Sequence, residues 1–266
     1  MSIISYIQPT ISIQAFENYG YFRRNYTPNH YSIASKYKGL FIDIIYFMDK
    51  GEALKELEKE IAADSTLPLR EANLVFGEGN PESKVVFIGE APGFNEDQQK
   101  RPFVGRAGQL LRECVRDIKW KEMDIYITNI VKRRPPENRD PLPEEIDAYK
   151  PYLTRQLEII KPKIVVALGR FSMNYFLPEA KITRDHGKIF RFSGFLLYPI
   201  YHPAAALRST QMKEEFEKNF RKLPRILEKA DELLAEKNGE EKTASPFDIR
   251  QGLPKEQEKS KQEKLF

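Results

Sequence analysis

The chain of 266 residues carries a single cysteine, Cys114, and that scarcity excludes a good deal. No internal disulfide can form, and a metal or iron–sulfur site made of cysteines is excluded on the same count. Cys114 lies in the helical pattern Leu110-Leu111-Arg112-Glu113-Cys114-Val115 and reads as a small buried thiol. Histidine is nearly as rare. His30 and His186 have no metal-ligand spacing to His202, so no metal site is expected. Long apolar runs are missing too: residues 40–48 are apolar except for Asp43, far short of the ~20 residues of a membrane span. Residues 1–10 carry no basic region, and Gln8-Pro9 interrupts their apolar stretch, so no secretory signal is read there. A soluble, intracellular (cytoplasmic) protein is expected. An excess of one charge is also absent. The net charge is +4, and the 31% of charged residues is spread over both signs. That permits an anionic partner without demanding one.

What is present falls into three zones. Residues 1–49 are rich in Tyr and Phe and show no sustained period. Residues 50–228 alternate helical and strand patterns. Residues 229–266 become charged, with Glu240-Glu241-Lys242 and Lys255-Glu256-Gln257-Glu258-Lys259, a composition that reads as disordered or only partly helical. In the middle zone, helices are expected over residues 52–61, 107–118, 143–160 and 171–176 and from about residue 212. Apolar strand-like runs occupy residues 85–88, 125–131, 164–168 and 195–201. Strands of this kind alternating with helices argue for an α/β fold whose parallel sheet is covered on both faces.

Two turns stand where such strands stop: Gly89-Glu90-Ala91-Pro92-Gly93, with Glu96-Asp97 behind it, and His202-Pro203-Ala204-Ala205-Ala206-Leu207-Arg208. Ligands of open α/β sheets bind beyond the carboxyl ends of the strands. A carboxylate, an imidazole and a phosphate-reaching guanidinium meeting there suit cleavage of an N-glycosidic bond in a nucleic acid. Each residue also has a plainer reading. Glu90 could orient water or stabilise a developing cation, or simply cap a turn. Glu96 and Asp97 could be further pocket carboxylates or first-turn acids of a helix. Phe103 could stack on a base or fill the core. Asn129 could pair with a nucleobase edge through its donor and acceptor arms, or cap the end of its strand.

Several of these motifs occur together and in register. Gly89 to Asp97, Arg101 to Gly108, Thr128-Asn129-Ile130-Val131-Lys132, Pro135-Pro136-Glu137-Asn138-Arg139 and His202 to Arg208 resemble the family 4 uracil-DNA glycosylases over residues 50–228. The resemblance implies a three-layer α/β/α fold with a central four-stranded parallel sheet. It implies base-excision repair, in which uracil is flipped out of single- or double-stranded DNA and hydrolysed from its sugar, by an enzyme acting as a monomer. By the same resemblance Phe103 would stack on the flipped uracil, Asn129 would read its edge, and Ala91 would line the pocket. Glu90 and Glu96 would be the pocket carboxylates, and His202 would hydrogen-bond uracil O2. Arg208 would contact phosphate. The other readings kept open are a non-catalytic DNA- or partner-binding relative and a glycosylase for hypoxanthine or xanthine.

The chain also departs from that pattern. The similar enzymes bind a 4Fe–4S cluster through four cysteines, whose places here fall near Ala62 and Ser65 and on Arg133 and Tyr149. The cluster is therefore expected to be absent and no cofactor to be needed, with Arg133 and Arg134 free to add DNA contacts. His186 stands where the family usually has Arg. Residues 1–47 precede the usual start, and Gln262-Glu263-Lys264-Leu265-Phe266 resembles the first half of a sliding-clamp-binding peptide.

Overall fold

A computed structural model of the protein describes residues 49–235. The aromatic-rich zone up to residue 48, the charged tail from residue 236 and the clamp-like peptide Gln262-Phe266 lie outside the described residues.

The first helix, α1 (Lys50–Ala63), starts where it does because Asp49 caps it. The Asp49 carboxylate accepts from the amides of Gly51 at 2.9 Å and Glu52 at 3.3 Å. Ala53, Leu54, Leu57 and Ile61 form its buried face. The chain then runs through β1 (Glu78–Gly79), β2 (Val85–Gly89), α2 (Phe94–Gln99), α3 (Arg106–Asp117) and β3 (Ile125–Asn129). It continues through α4 (Pro143–Ile160), β4 (Ile164–Leu168), α5 (Gly169–Phe176), α6 (Ile182–Asp185), β5 (Phe190–Phe192) and β6 (Phe195–Ile200). Four helices close the described chain: α7 (Pro203–Ala206), α8 (Thr210–Phe220), α9 (Leu223–Glu228) and α10 (Ala230–Ala235).

The expected four-stranded parallel sheet is corrected to a mixed, six-stranded one in the order β1-β3-β2-β4-β6-β5. Its middle strands pair in parallel, Val85 with Ile125 and with Ile164, and Ile164 with Leu196. Each is buried along its whole length, which is why each reads as a continuous apolar run. The two edge strands run antiparallel and left little trace in the sequence. β1 is two residues long, and β5 is a short, half-buried hairpin partner of β6. Gly194, at φ +93°, turns that hairpin in a conformation most side chains avoid.

Alternation along the strands sorts the side chains into two layers. Val85, Phe87, Ile125, Ile127, Ile164 and Val166 share one core with α3, α8 and α9. On the opposite face Gln156 of α4 donates to the Tyr126 hydroxyl at 3.0 Å, and α1 packs against α4. The result is helix, sheet, helix. Among the described residues no helix is long and apolar enough to cross a membrane.

Candidate active site at the strand ends

The parallel register of β2 and β3 brings Gly89 opposite Asn129. A Cβ on Gly89 would overlap Asn129 Oδ1 and come within 2.5 Å of Phe103 Cζ. The missing side chain of Gly89 is the space into which the amide and the ring converge.

Phe103 is presented by a tightly specified loop. Its φ of +52° lies in the left-handed region, a strain of about 1–3 kcal/mol that the surroundings must over-determine. Three contacts do so. Glu96 Oε1 accepts from the amides of Val104 at 2.9 Å and Gly105 at 2.7 Å. Arg112 Nε donates to the Phe103 carbonyl at 3.3 Å, and Arg112 is itself ion-paired with Glu78 and Glu122. Gly108 lies so close that a Cβ there would overlap the Phe103 carbonyl. The Glu96 carboxylate thus braces the loop that carries the aromatic ring.

His202 follows β6 and caps α7. Its Nδ1 accepts from the Ala204 amide at 3.1 Å, which assigns the ring proton to Nε2. Burial, with the cation of Arg208 adding to it, pulls the imidazole down to about 4, so the ring is neutral and a donor near pH 7. Its ring centroid lies 5.8 Å from that of Phe103 at a tilt of 33°. Gly169, at φ +85°, makes room for it, since a Cβ there would sit 2.8 Å from His202 Cβ.

Glu90 is partly buried immediately past β2, with Ala91 beside it. Burial pushes its carboxyl up to about 7. The Asp140 carboxylate adds to that push and the Arg170 cation opposes it, and those two are themselves paired at 3.2 Å. The result is an acid that changes charge near neutrality. The expected basic contacts divide. Arg208 is exposed at the end of the α7 turn. Arg134 lies over the exposed Phe94 ring at 5.2 Å and donates to Asn138 Oδ1 at 2.7 Å. Arg133 faces inward, 7% exposed, donating to the Ala72 carbonyl at 2.5 Å and bonding Tyr149. The His186 ring lies against that of Tyr201, with centroids 4.3 Å apart at a tilt of 34°, and bonds Asn219 at 3.0 Å.

Gly108 and Arg112, which shape the Phe103 loop, were not singled out in the sequence. A glycine two residues into a helix is disfavoured unless something needs the space, and that is the one signal available for Gly108. The role of Arg112 rests on partners far away in sequence and had no local mark.

An aromatic ring, a side-chain amide and a neutral imidazole thus lie together at the ends of the parallel strands of an α/β/α protein, groups whose chemistry suits a flat, hydrogen-bonding heterocycle. The chain belongs to the uracil-DNA glycosylase superfamily, whose family model matches residues 76–226. It is 41% identical over 184 residues to a type-4 uracil-DNA glycosylase of Sulfurisphaera tokodaii, covering 65% of this chain and 84% of that one. Identity to the type-4 enzyme of Archaeoglobus fulgidus is 40% over 194 residues, covering 69% and 98%. For that of Thermotoga maritima it is 43% over 164 residues, covering 59% and 85%.

These relatives correct one expectation, that no cofactor is needed. Type-4 enzymes carry a 4Fe–4S cluster, so kinship points towards a cofactor and supplies no ground for a cofactor-free protein. The side chains at the four corresponding places nevertheless do not fit a four-thiolate cluster. Ala62 and Ser65 are exposed and offer no thiol. Arg133 and Tyr149 are buried, and the Tyr149 hydroxyl donates to the Pro68 carbonyl at 2.9 Å.

Proposed function

We propose that this protein is a DNA repair glycosylase that flips uracil out of DNA and hydrolyses its N-glycosidic bond. Supporting this reading above all is the convergence of Asn129 and Phe103 on Gly89, with the Nε2–H of His202 nearby. The flipped base stacks on Phe103, a contact worth about 1–3 kcal/mol, and Asn129 pairs with its edge. Ala91 lines the pocket beneath it.

The bond between C1′ of the sugar and N1 of uracil breaks, and its electron pair leaves with the base. The neutral His202 donates from Nε2 to uracil O2, where that negative charge gathers. One such preorganised donor is worth about 10²–10³-fold in rate. The ionised Glu90 stabilises the positive charge developing on the sugar and orients the water that adds to C1′. The water oxygen adds to C1′ as the hydroxyl of the abasic site, the proton it loses passes to solvent, and the departing uracil anion takes up a proton from solvent. Glu96 holds the Phe103 loop, and Arg208 contacts a backbone phosphate beside the vacated site.

A single-turnover assay on uracil-containing single-stranded and duplex DNA tests this. Release of uracil, with a large loss in His202→Ala and Asn129→Ala, is the expected result. A folded wild-type protein that leaves uracil in both substrates overturns it.

A further inference from the structure

Lys132 lies three residues beyond β3 and is 0% exposed. Among the described residues no carboxylate pairs with it. Its Nζ donates to Thr128 Oγ1 at 2.6 Å, to the main-chain carbonyl of Asn129 at 2.8 Å and to Gln156 Oε1 at 2.6 Å. Removing an ammonium from water without a counter-ion is costly, and burial pulls this group well below the ordinary lysine range.

The hydrogen bonds around it work the other way. The Thr128 hydroxyl spends its proton on the Phe76 carbonyl at 2.8 Å, so towards Lys132 it can only accept. The Gln156 amide nitrogen donates to the Phe76 carbonyl at 3.3 Å and to the Tyr126 hydroxyl at 3.0 Å. That orientation leaves the Gln156 oxygen facing the lysine. The Asn129 carbonyl accepts by nature. Three acceptors match the three N–H groups of an ammonium. A neutral amine has two, and would leave its lone pair against an acceptor. The Phe76 ring, with its centroid 5.9 Å from Nζ, adds a cation–π contact.

An apolar side chain would fill this part of the core without the desolvation cost. What it could not do is hold the Asn129 carbonyl. The main chain leaves β3 at that point, while Ile130 and Val131 still donate to the carbonyls of Gly89 and Glu90 at 3.0 Å. The lysine folds back over this exit and ties residues 128, 129 and 132 to α4 through Gln156. We propose that Lys132 is a positioning residue for Asn129, its buried side chain fixing the turn out of β3 so that the Asn129 amide faces the base pocket. This rests on the reading of Asn129 as the group that contacts uracil.

The test is single-turnover excision of uracil by the full chain, with urea unfolding beside it. The proteins compared are wild type, Lys132→Met, Gln156→Met, Asn129→Ala and the Lys132→Met/Asn129→Ala pair. Misplacing a substrate-contacting group by about an ångström costs on the order of 10²-fold, and Lys132→Met should lose about that much. Gln156→Met, which removes one acceptor but spares the bond to the Asn129 carbonyl, should lose comparable stability and less than about tenfold in rate. In the double variant, Lys132→Met should add no more than roughly threefold to the loss from Asn129→Ala. Losses that multiply in the double variant, or rates that simply follow stability across the set, overturn the inference. If the methionine variant does not fold, Lys132→Gln takes its place in the same cycle under the same criteria. Wild-type inactivity overturns the proposed function and this inference with it. A normal rate in Asn129→Ala overturns the role of Asn129 while leaving the function standing.

Discussion

The amide of Ala204 donates to Nδ1 of His202 at 3.1 Å, and this one bond decides which face of the imidazole is available for chemistry. With Nδ1 occupied as an acceptor, the ring proton is on Nε2. Burial keeps the second proton off, so His202 serves as a fixed neutral donor.

The pH dependence follows from that and from Glu90. With its carboxyl near 7, Glu90 is protonated below neutrality, and the single-turnover rate should climb as pH rises through about 7. Glu90→Gln should flatten that limb and cost about 10²–10⁴-fold. No histidine limb is expected between pH 5 and 8, because His202 titrates at about 4. A rate profile from pH 5 to 9 for both proteins decides it, and an acid limb that persists in Glu90→Gln would exclude Glu90 as its source.

Stability should respond to the same two groups in opposite senses. Glu90 is raised from 4.5, so its contribution is full below about 4.5 and is lost as pH rises through about 7. His202 is lowered from 6.5, so its contribution is full above about 6.5 and is lost as pH falls through about 4. Relative to wild type, Glu90→Gln should therefore gain Tm between pH 5 and 8, and His202→Gln should gain it between pH 6.5 and 4. Thermal melts across that range give the signs directly.

The loop bearing Phe103 offers a second test. Gly108→Ala would drive a methyl group into the Phe103 carbonyl, so the loop must move. Excision should fall by on the order of 10²-fold, with the far-ultraviolet circular dichroism unchanged. Glu96→Ala frees the amides of Val104 and Gly105 and should lower stability by about 1–3 kcal/mol, along with the rate. Full activity in either variant would separate loop geometry from catalysis.

The two arginine environments predict different phenotypes. Arg208→Ala should weaken DNA binding at every sequence and reduce the salt slope of binding by about 1. Arg133→Ala should leave that slope unchanged and lower stability by about 1–3 kcal/mol, because its guanidinium is bonded inside the protein to the Ala72 carbonyl and Tyr149. Binding isotherms at several salt concentrations, paired with urea titrations, distinguish them.

Much of this fold is legible residue by residue. The strands at 85–88, 125–131, 164–168 and 195–201 are visible because strands covered on both faces must be apolar throughout, and the expected runs fall within two residues of β2, β3, β4 and β6. β1 and β5 were not legible. Edge strands so short are defined by pairing to a neighbour: Glu78-Gly79 has no pattern, and the alternation in Phe190-Arg191-Phe192 is too short to mark a strand. In the site, Glu90, Phe103, Asn129 and His202 could be named from their turns. The bracing role of Glu96 could not, because its partners lie eight and nine residues on across an irregular loop. The inward turn of Arg133 was equally hidden: its carbonyl partner, Ala72, is 61 residues away.

The amino-acid order alone determined the alternation of strands and helices, the two turns at strand ends, and the side-chain types that could meet a base. These are local matters, set by hydrophobic period and by Gly and Pro punctuation. Only the tertiary structure decided how those groups behave. Burial beyond the strand ends moves Glu90 to about 7 and His202 to about 4, and long-range packing encloses Lys132 beneath Asn129. Protonation, tautomer and orientation depend on the dielectric and on partners brought from distant parts of the chain, and no local pattern encodes those.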